Sequence, residues 1–124
     1  MSFLPTSRFP SRESQIRILV VDDFVPWLRF VRSLLETQKG LAVLAEAADG
    51  LEAVQKAKEL QPDLILLDIR LPKLSGIEAA RQIRKVAPDS KILFVSLETS
   101  ANVVDEAINL GALGYALKPR LWEN

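Results

Sequence analysis

The chain has 124 residues, of which 48% are hydrophobic, and its 16 basic residues balance 16 acidic ones. This predicts one soluble globular domain, with no net charge to attract nucleic acid or an anionic membrane. The absence of Cys and His excludes disulfides, thiolate chemistry, histidine-ligated metals and Ser-His catalysis. A metal here must therefore be a hard cation bound by oxygen atoms, such as Mg²⁺.

Residues 1–14 are rich in Ser, Pro and Arg and have no apolar core typical of a secretory signal. We expect them to form a flexible tail before a folded domain at residues 15–124. No apolar run approaches the ~18 residues that a membrane span needs, so the sequence predicts no membrane association.

Five short, continuously apolar runs are predicted to form strands that are covered on both faces. In chain order they are Ile16–Val21, Leu41–Ala45, Leu64–Leu67, Ile92–Val95 and Tyr115–Leu117.

Helical patterns lie between these runs. The first has Trp27 and Phe30 at helical spacing, which favours core positions for both. Capping sequences at Asp49 and Ser75 begin the second and third helices, and Gly111 ends the fourth. Alternating strands and helices predict an α/β fold with a doubly wound parallel sheet.

Polar residues follow four of the predicted strands. Asp22 and Asp23 follow the first strand, Asp68 the third, Ser96 the fourth and Lys118 the fifth. Ligands bind beyond the carboxyl ends of the strands in such sheets, so we expect these side chains to form one site.

The chemistry of this set favours phosphoryl transfer. Three adjacent carboxylates repel one another and are suited to a divalent cation. Asp68 is the candidate nucleophile, and Lys118 and Ser96 can stabilise phosphoryl oxygens. Each residue alone also has an ordinary explanation, as a helix cap, a turn residue, a loop hydroxyl or a solvated charge. Only their joint placement favours a functional site.

The motifs "VVDD", "LLDIRLPKLSGIEA", "VSLE" and "KP" occur in this order over residues 16–119. With them the chain resembles the receiver domain of bacterial two-component response regulators, most closely the LuxR/NarL-type subfamily. The resemblance implies a five-stranded parallel sheet of the flavodoxin-like order 2-1-3-4-5.

The resemblance also assigns the metal and acceptor roles. Asp68 would accept a phosphoryl group from a sensor histidine kinase or phosphotransfer protein. Asp23 would bind Mg²⁺ directly, Asp22 mostly through water, and Arg70 through its backbone carbonyl.

The remaining roles concern the phosphorylated state. By the same resemblance, Lys118 would pair with the phosphoryl group, and Ser96 would turn to hydrogen-bond it. Tyr115 would then swing inward as a switch residue, and the peptide bond between Lys118 and Pro119 would be cis.

Three features depart from the usual receiver pattern. Leu97 is bulky where a small residue is usual, so we expect restricted access and slow labelling by small phosphodonors. We hypothesise that Arg70 and Glu98 form a salt bridge that obstructs the hydrolytic water and lengthens the phosphorylated lifetime; the alternative is two separate exposed charges. Only "PRLWEN" follows Lys118, which leaves no room for a final helix. We therefore expect exposed apolar surface, and a homodimer or aggregation.

The sequence thus predicts a cytoplasmic signalling switch, not a conventional enzyme, that regulates transcription through an effector domain or partner outside this chain. DNA binding by the chain itself is not expected. One alternative is a phosphate-independent dimerisation module with the same fold. Another is a Mg²⁺-dependent hydrolase like the haloacid dehalogenases, which Arg70 disfavours because those enzymes carry a second aspartate at that position.

Overall fold

The computed structural model describes residues 15–122, in which five strands alternate with four α-helices. The strands are β1 (Ile16–Val21), β2 (Leu41–Ala47), β3 (Leu64–Leu67), β4 (Lys91–Ser96) and β5 (Gly114–Leu117). The helices are α1 (Val25–Glu36), α2 (Gly50–Leu60), α3 (Gly76–Val86) and α4 (Ala101–Asn109), followed by a 3₁₀ turn at Arg120–Trp122.

All neighbouring strands are parallel, in the order β2-β1-β3-β4-β5, so the predicted fold and strand order are confirmed. Strands β2, β4 and β5 each extend one or two residues beyond the apolar runs that predicted them. The chain reverses its winding direction between β1 and β3. Their carboxyl ends, at Val21 and Leu67, therefore flank the place where such sheets bind ligands.

The helix starts follow the predicted caps. The side chain of Asp49 accepts a hydrogen bond from the Glu52 amide at 2.7 Å, and that of Ser75 accepts one from Glu78 at 3.2 Å. Helix α1 has no side-chain cap; its second residue is Pro26, which is tolerated there because the first turn has unpaired amides.

The two faces of the sheet are covered unequally. On β3 and β4, Ile65, Leu67 and Phe94 are fully buried in a core shared with α2, α3 and α4. On the opposite face, α1 covers β1 with Trp27 and Val31. The strand residues beyond α1 on that face are only half-buried, and we call them the uncovered face: Leu64, Leu66, Leu93 and Val95.

The last described residues pack against α1. The indole of Trp122 contacts the rings of Phe24, Trp27 and Phe30, with centroid distances of 6.4, 5.1 and 5.0 Å. Phe30 is nevertheless 45% exposed, so its predicted core position was wrong. It lies at the edge of the aromatic group, where no further element of residues 15–122 covers it.

Two further expectations concern the ends of the chain. The predicted tail at residues 1–14 lies outside the described residues, as do residues 123 and 124. Within residues 15–122, the 3₁₀ turn is the last element after β5, and no helix has the length and apolar character needed to cross a membrane.

Candidate functional site

A pocket of about 390 Å³ opens at the carboxyl ends of β1, β3 and β4. Most of the residues predicted from the sequence to form the site line it: Asp22, Asp23, Asp68, Arg70, Ser96, Leu97, Glu98 and Lys118. Tyr115 and Pro119 do not line this pocket. The topology alone brings the strand-end residues together, because each is the residue at or just beyond the carboxyl end of its strand.

Lys118 joins two of the carboxylates. Its Nζ lies 2.5 Å from Oδ2 of Asp22 and 3.1 Å from Oδ2 of Asp68, and it hydrogen-bonds the latter. All three residues are less than 9% exposed. The backbone orients the other carboxylate oxygens: the Phe24 amide donates to Asp22 and the Ile69 amide to Asp68. The result is a buried cation between two fixed anions.

Burial dominates the electrostatics of Asp22. It raises the pKa of this carboxyl from 3.8 to about 6, because an ion in this position loses its hydration. The contact with the Lys118 ammonium opposes the rise, and the charge of Asp68 adds to it. Asp22 therefore holds its negative charge at a cost that a bound cation would reduce.

The acidic residues fit a divalent metal ion. Asp22, Asp23 and Asp68 each offer an oxygen atom, and these atoms lie within 4.8 Å of one another. Oδ2 of Asp22 is buried and has no hydrogen-bond partner in the described chain, despite its contact with Lys118. A buried carboxylate oxygen that accepts no hydrogen bond and lies near two other carboxylates is suited to Mg²⁺. The part of the Arg70 carbonyl in such a site stays a prediction.

Ser96 and Tyr115 both hold the backbone of Glu98. The Glu98 amide donates to Oγ of the buried Ser96 at 3.2 Å, and the Tyr115 hydroxyl donates to the Glu98 carbonyl at 2.8 Å. The Tyr115 ring is stacked on Phe94 with a centroid distance of 6.1 Å, and burial raises the pKa of its hydroxyl. The predicted switch residues thus meet at one loop, although the switching itself is a prediction.

The predicted salt bridge between Arg70 and Glu98 is present. Oε2 of Glu98 accepts hydrogen bonds from Nη2 of Arg70 at 2.5 Å and from Nε at 3.1 Å. This pairing lowers the pKa of Glu98. The Arg70 side chain is 78% exposed and that of Glu98 14%, so the pair lies at the pocket mouth with its arginine in solvent.

The predicted cis bond between Lys118 and Pro119 was wrong: residues 15–122 contain no cis peptide. A trans bond is the favoured isomer before proline. Here it leads directly into the 3₁₀ turn, whose Trp122 amide donates to the Pro119 carbonyl at 2.9 Å.

Sequence reasoning missed several residues of the site, among them Trp27, Trp122 and Gly76. Trp27 and Trp122 approach it through tertiary contacts that no local pattern reveals. Gly76 follows the predicted cap Ser75 and was not assigned to the site. A Cβ there would lie 1.9 Å from the carbonyl oxygen of Asp68, so the loop after Asp68 closes only without a side chain at this position. A glycine where a better helix former would normally stand was the available signal.

Comparisons with known proteins agree with this geometry. The sequence model described as "Response regulator receiver domain" matches residues 18–122, which is most of the chain. The chain therefore belongs to the family of response regulator receiver domains, modules of two-component, phosphorylation-based signalling.

Its relatives differ in what accompanies the receiver. The chemotaxis protein CheY of Thermotoga maritima is 40% identical, with 83% of this chain and 85% of CheY covered. A protein-glutamate methylesterase/protein-glutamine glutaminase of the same organism is 44% identical, but the match covers 84% of this chain and only 30% of that protein. The chain thus spans less than a third of the methylesterase.

Solved structures show the same fold. The response regulator domain of Thermotoga maritima CheB has a TM-score of 0.81 at 41% identity, with 86% of this chain and 80% of that chain covered. A LuxR-family response regulator from Aurantimonas sp. SI85-9A1 has a TM-score of 0.79 at 38% identity, with 85% and 75% covered. The resemblance drawn from the sequence motifs is confirmed, and it extends to chemotaxis receivers as well as to the LuxR type.

Proposed function

We propose that this chain is a signalling switch that accepts a phosphoryl group on Asp68 from a sensor histidine kinase or a phosphotransfer protein. The observation that carries the proposal is the buried Lys118 ammonium between Asp22 and Asp68, at the base of an open pocket. Formation of an acyl phosphate needs a carboxylate to accept the phosphoryl group and a cation to offset its charge. Asp68 and the buried Lys118 at the end of the parallel sheet provide both.

In the proposed reaction, Oδ of Asp68 attacks phosphorus as the bond from phosphorus to the donor imidazole nitrogen breaks. The electron pair of that bond stays on the imidazole, and the phosphoryl oxygens keep their charge. Lys118 neutralises part of this charge, since its ammonium already lies 3.1 Å from Asp68. Mg²⁺, held by Asp22, Asp23, Asp68 and the Arg70 carbonyl, would supply further charge neutralisation. The chain itself assists this transfer without being a conventional enzyme.

Phosphorylation would be read through Ser96 and Tyr115. A phosphoryl oxygen on Asp68 offers the Ser96 hydroxyl a charged acceptor, and charge-assisted hydrogen bonds are stronger than neutral ones. Because Ser96 now accepts from the Glu98 amide, its reorientation would release one side of that loop. Tyr115 would then lose its present partner, the Glu98 carbonyl, and move inward.

Access and lifetime depend on the pocket mouth. Leu97 lines the pocket, and we propose that its bulky side chain slows entry of small phosphodonors. The salt bridge between Arg70 and Glu98 would hinder the water that hydrolyses the acyl phosphate, and so lengthen the phosphorylated state.

The output is proposed to lie outside this chain, in an effector domain or partner that regulates transcription in the cytoplasm. The relatives include both a chemotaxis protein, CheY, and a transcriptional regulatory protein, LnrK, and we propose the transcriptional output for this chain. We also propose a homodimer, because the uncovered face leaves apolar strand residues in partial contact with water.

The decisive test is the intact mass after incubation with Mg²⁺ and acetyl phosphate or a phosphorylated histidine donor. We expect a gain of one phosphoryl group, ~80 Da, that requires Mg²⁺ and is absent in Asp68→Asn. Ser75→Asn is a matched control, because Ser75 caps α3 outside the pocket. A wild-type mass that does not change with any donor would contradict the proposal.

A second candidate is a phosphate-independent interaction module with the receiver fold. The uncovered face favours it, since an apolar sheet face can bind a partner whatever the state of Asp68. Identical self-association of wild type and Asp68→Asn, with no labelling of either, would support this alternative.

A further inference from the structure

The indole of Trp27 lies against the ammonium group of Lys118. Nζ of Lys118 is 5.3 Å from the centroid of the Trp27 ring, within the range of a cation–π interaction. Trp27 is 8% exposed and Lys118 7%, so little water screens the contact. Desolvated cation–π pairs are stronger than exposed ones. The contact links α1 to a residue that follows β5.

Lys118 needs such support because its side chain reaches far. It starts beyond the edge strand β5 and crosses the end of β4 to reach Asp68 after β3. Two strand spacings amount to about 10 Å. A free lysine side chain also has many rotamers, and fixing it in one costs conformational entropy. A rigid aromatic face beside the ammonium reduces the number of rotamers that the Lys118 side chain can adopt.

The Lys118 ammonium contacts two carboxylates and one aromatic ring, and a bound metal ion would weaken only the contacts with the carboxylates. The two carboxylates are those of Asp22 and Asp68, whose oxygens belong to the carboxylate group that fits a divalent cation. A cation there competes with Lys118 for the same two carboxylates. The ring of Trp27 has no oxygen to give up, so its contact with Lys118 is independent of the metal.

We propose that Trp27 is a positioning residue for phosphoryl transfer: its ring face holds the Lys118 ammonium over the pocket when the carboxylates are bound to a cation. This inference rests on the proposed function, since it concerns the same transfer to Asp68. Trp27 does not touch the phosphoryl group; it acts through Lys118. The ordinary role of a core residue is shared by its neighbours Leu28 and Val31, which have no contact of this kind.

The test must distinguish the effect of the π-electron density of the Trp27 ring from the effect of its size. We would place mono-, di-, tri- and tetrafluorotryptophan at position 27 of a Trp122→Phe chain, because fluorine withdraws π-electron density with little change in shape. We expect the rate of Asp68 labelling by acetyl phosphate with Mg²⁺ to fall steadily along the series. The total decrease should be about 5- to 30-fold, the range of one partly to fully desolvated cation–π pair.

The matched control is a Trp27→Phe chain in which only Trp122 is fluorinated. It measures the effect of fluorine on the neighbouring indole, and its slope is subtracted. Urea unfolding of every member shows whether packing has changed. A labelling rate that does not depend on fluorination at position 27, in proteins of equal stability, would overturn the inference.

A second readout does not depend on phosphorylation. Protons on the terminal carbon of Lys118 should show an upfield ring-current shift in the NMR spectrum, which is lost in Trp27→Leu. We expect the shift to persist when Mg²⁺ is added to the wild type. Its loss on adding Mg²⁺ would overturn the inference even if labelling proceeds. Failure of labelling in the unfluorinated chain would instead contradict the proposed function, and the inference with it.

Discussion

The hydroxyl of Tyr115 donates a 2.8 Å hydrogen bond to the backbone carbonyl of Glu98, and so ties the edge strand β5 to the loop after β4. The backbone amide of Glu98 in turn donates a hydrogen bond to Oγ of Ser96. The loop is thus fixed at one residue from two sides, one in the phosphoacceptor pocket and one on the edge strand. A change at Ser96 would therefore reach Tyr115 through a single residue, Glu98.

We expect Tyr115→Phe to loosen this loop without removing the ring contact with Phe94. Loss of the hydrogen bond leaves the partly buried Glu98 carbonyl without its donor, at a cost of about 1 kcal/mol in the free energy of unfolding. Amide hydrogen exchange at residues 97–100 should become faster, while that of β1 stays slow. Unchanged exchange at the loop would show that the hydroxyl does not hold it.

Removing the salt bridge at the pocket mouth should change kinetics more than stability. Because the arginine is largely in solvent, Arg70→Ala should change the free energy of unfolding little. If the pair hinders the hydrolytic water, phosphorylated Arg70→Ala and Glu98→Ala should both lose their phosphoryl group several-fold faster than wild type, as measured by intact mass over time. The double variant should then resemble either single one, because each removes the same obstacle.

A matched control for the salt bridge is Arg81→Ala. Arg81 pairs with Glu78 and Glu106 between α3 and α4, away from the pocket. Equal lifetimes in Arg81→Ala, Arg70→Ala and wild type would contradict the proposed role of the mouth pair.

The raised pKa of Asp22 makes the stability of the metal-free protein depend on pH. Between its ordinary value of 3.8 and about 6, the folded protein binds a proton that the unfolded chain has released. The contribution of this group is therefore fully present below pH 3.8 and is lost as the pH rises through about 6. We expect the difference in unfolding free energy between wild type and Asp22→Asn to decrease with rising pH in this window, measured in urea with a chelator.

Binding of Mg²⁺ should depend on pH in the opposite direction, and be favoured as the pH rises. A cation binds the ionised carboxylate, so its apparent affinity should fall as the pH drops through about 6 and Asp22 takes up its proton. Titration of tryptophan fluorescence with Mg²⁺ at several pH values measures this directly. A Mg²⁺ affinity that is constant from pH 5 to pH 8 would show that Asp22 is not part of the metal site.

Gly76→Ala should be strongly destabilising. The added methyl group would lie 1.9 Å from the carbonyl oxygen of Asp68 and 2.8 Å from Cα of Ile69, so the loop after β3 must move. We expect a loss of about 3 kcal/mol or more in urea unfolding. Gly114→Ala is the matched control, because its methyl group meets only the end of the Leu93 side chain at 3.3 Å. Equal losses in the two variants would show that the backbone contact is not limiting.

The sequence predicted the parts of the site that depend on topology, and it missed those that depend on three-dimensional packing. Asp22, Asp68 and Lys118 were identified because parallel strands carry their following residues to one edge of a sheet. Trp27 has the spacing of a core residue and is one; its second contact, with Lys118, joins elements far apart in the chain. Phe30 has the same spacing, yet its exposure depends on what lies over α1, which helical periodicity does not encode.

Replacing the bulky side chain at position 97 tests whether access to Asp68 limits labelling. Leu97 is half-buried and lines the pocket beside Ser96. Leu97→Ala widens the entrance, so labelling by acetyl phosphate should become faster, whereas transfer from a phosphorylated histidine protein, which positions its own donor, should change less. Rates from intact mass at several donor concentrations separate entry from chemistry. Leu113→Ala is the control, since Leu113 is 65% exposed and lies outside the pocket. Equal acetyl phosphate rates in all three proteins would remove Leu97 as a barrier and assign slow labelling to the transfer step itself.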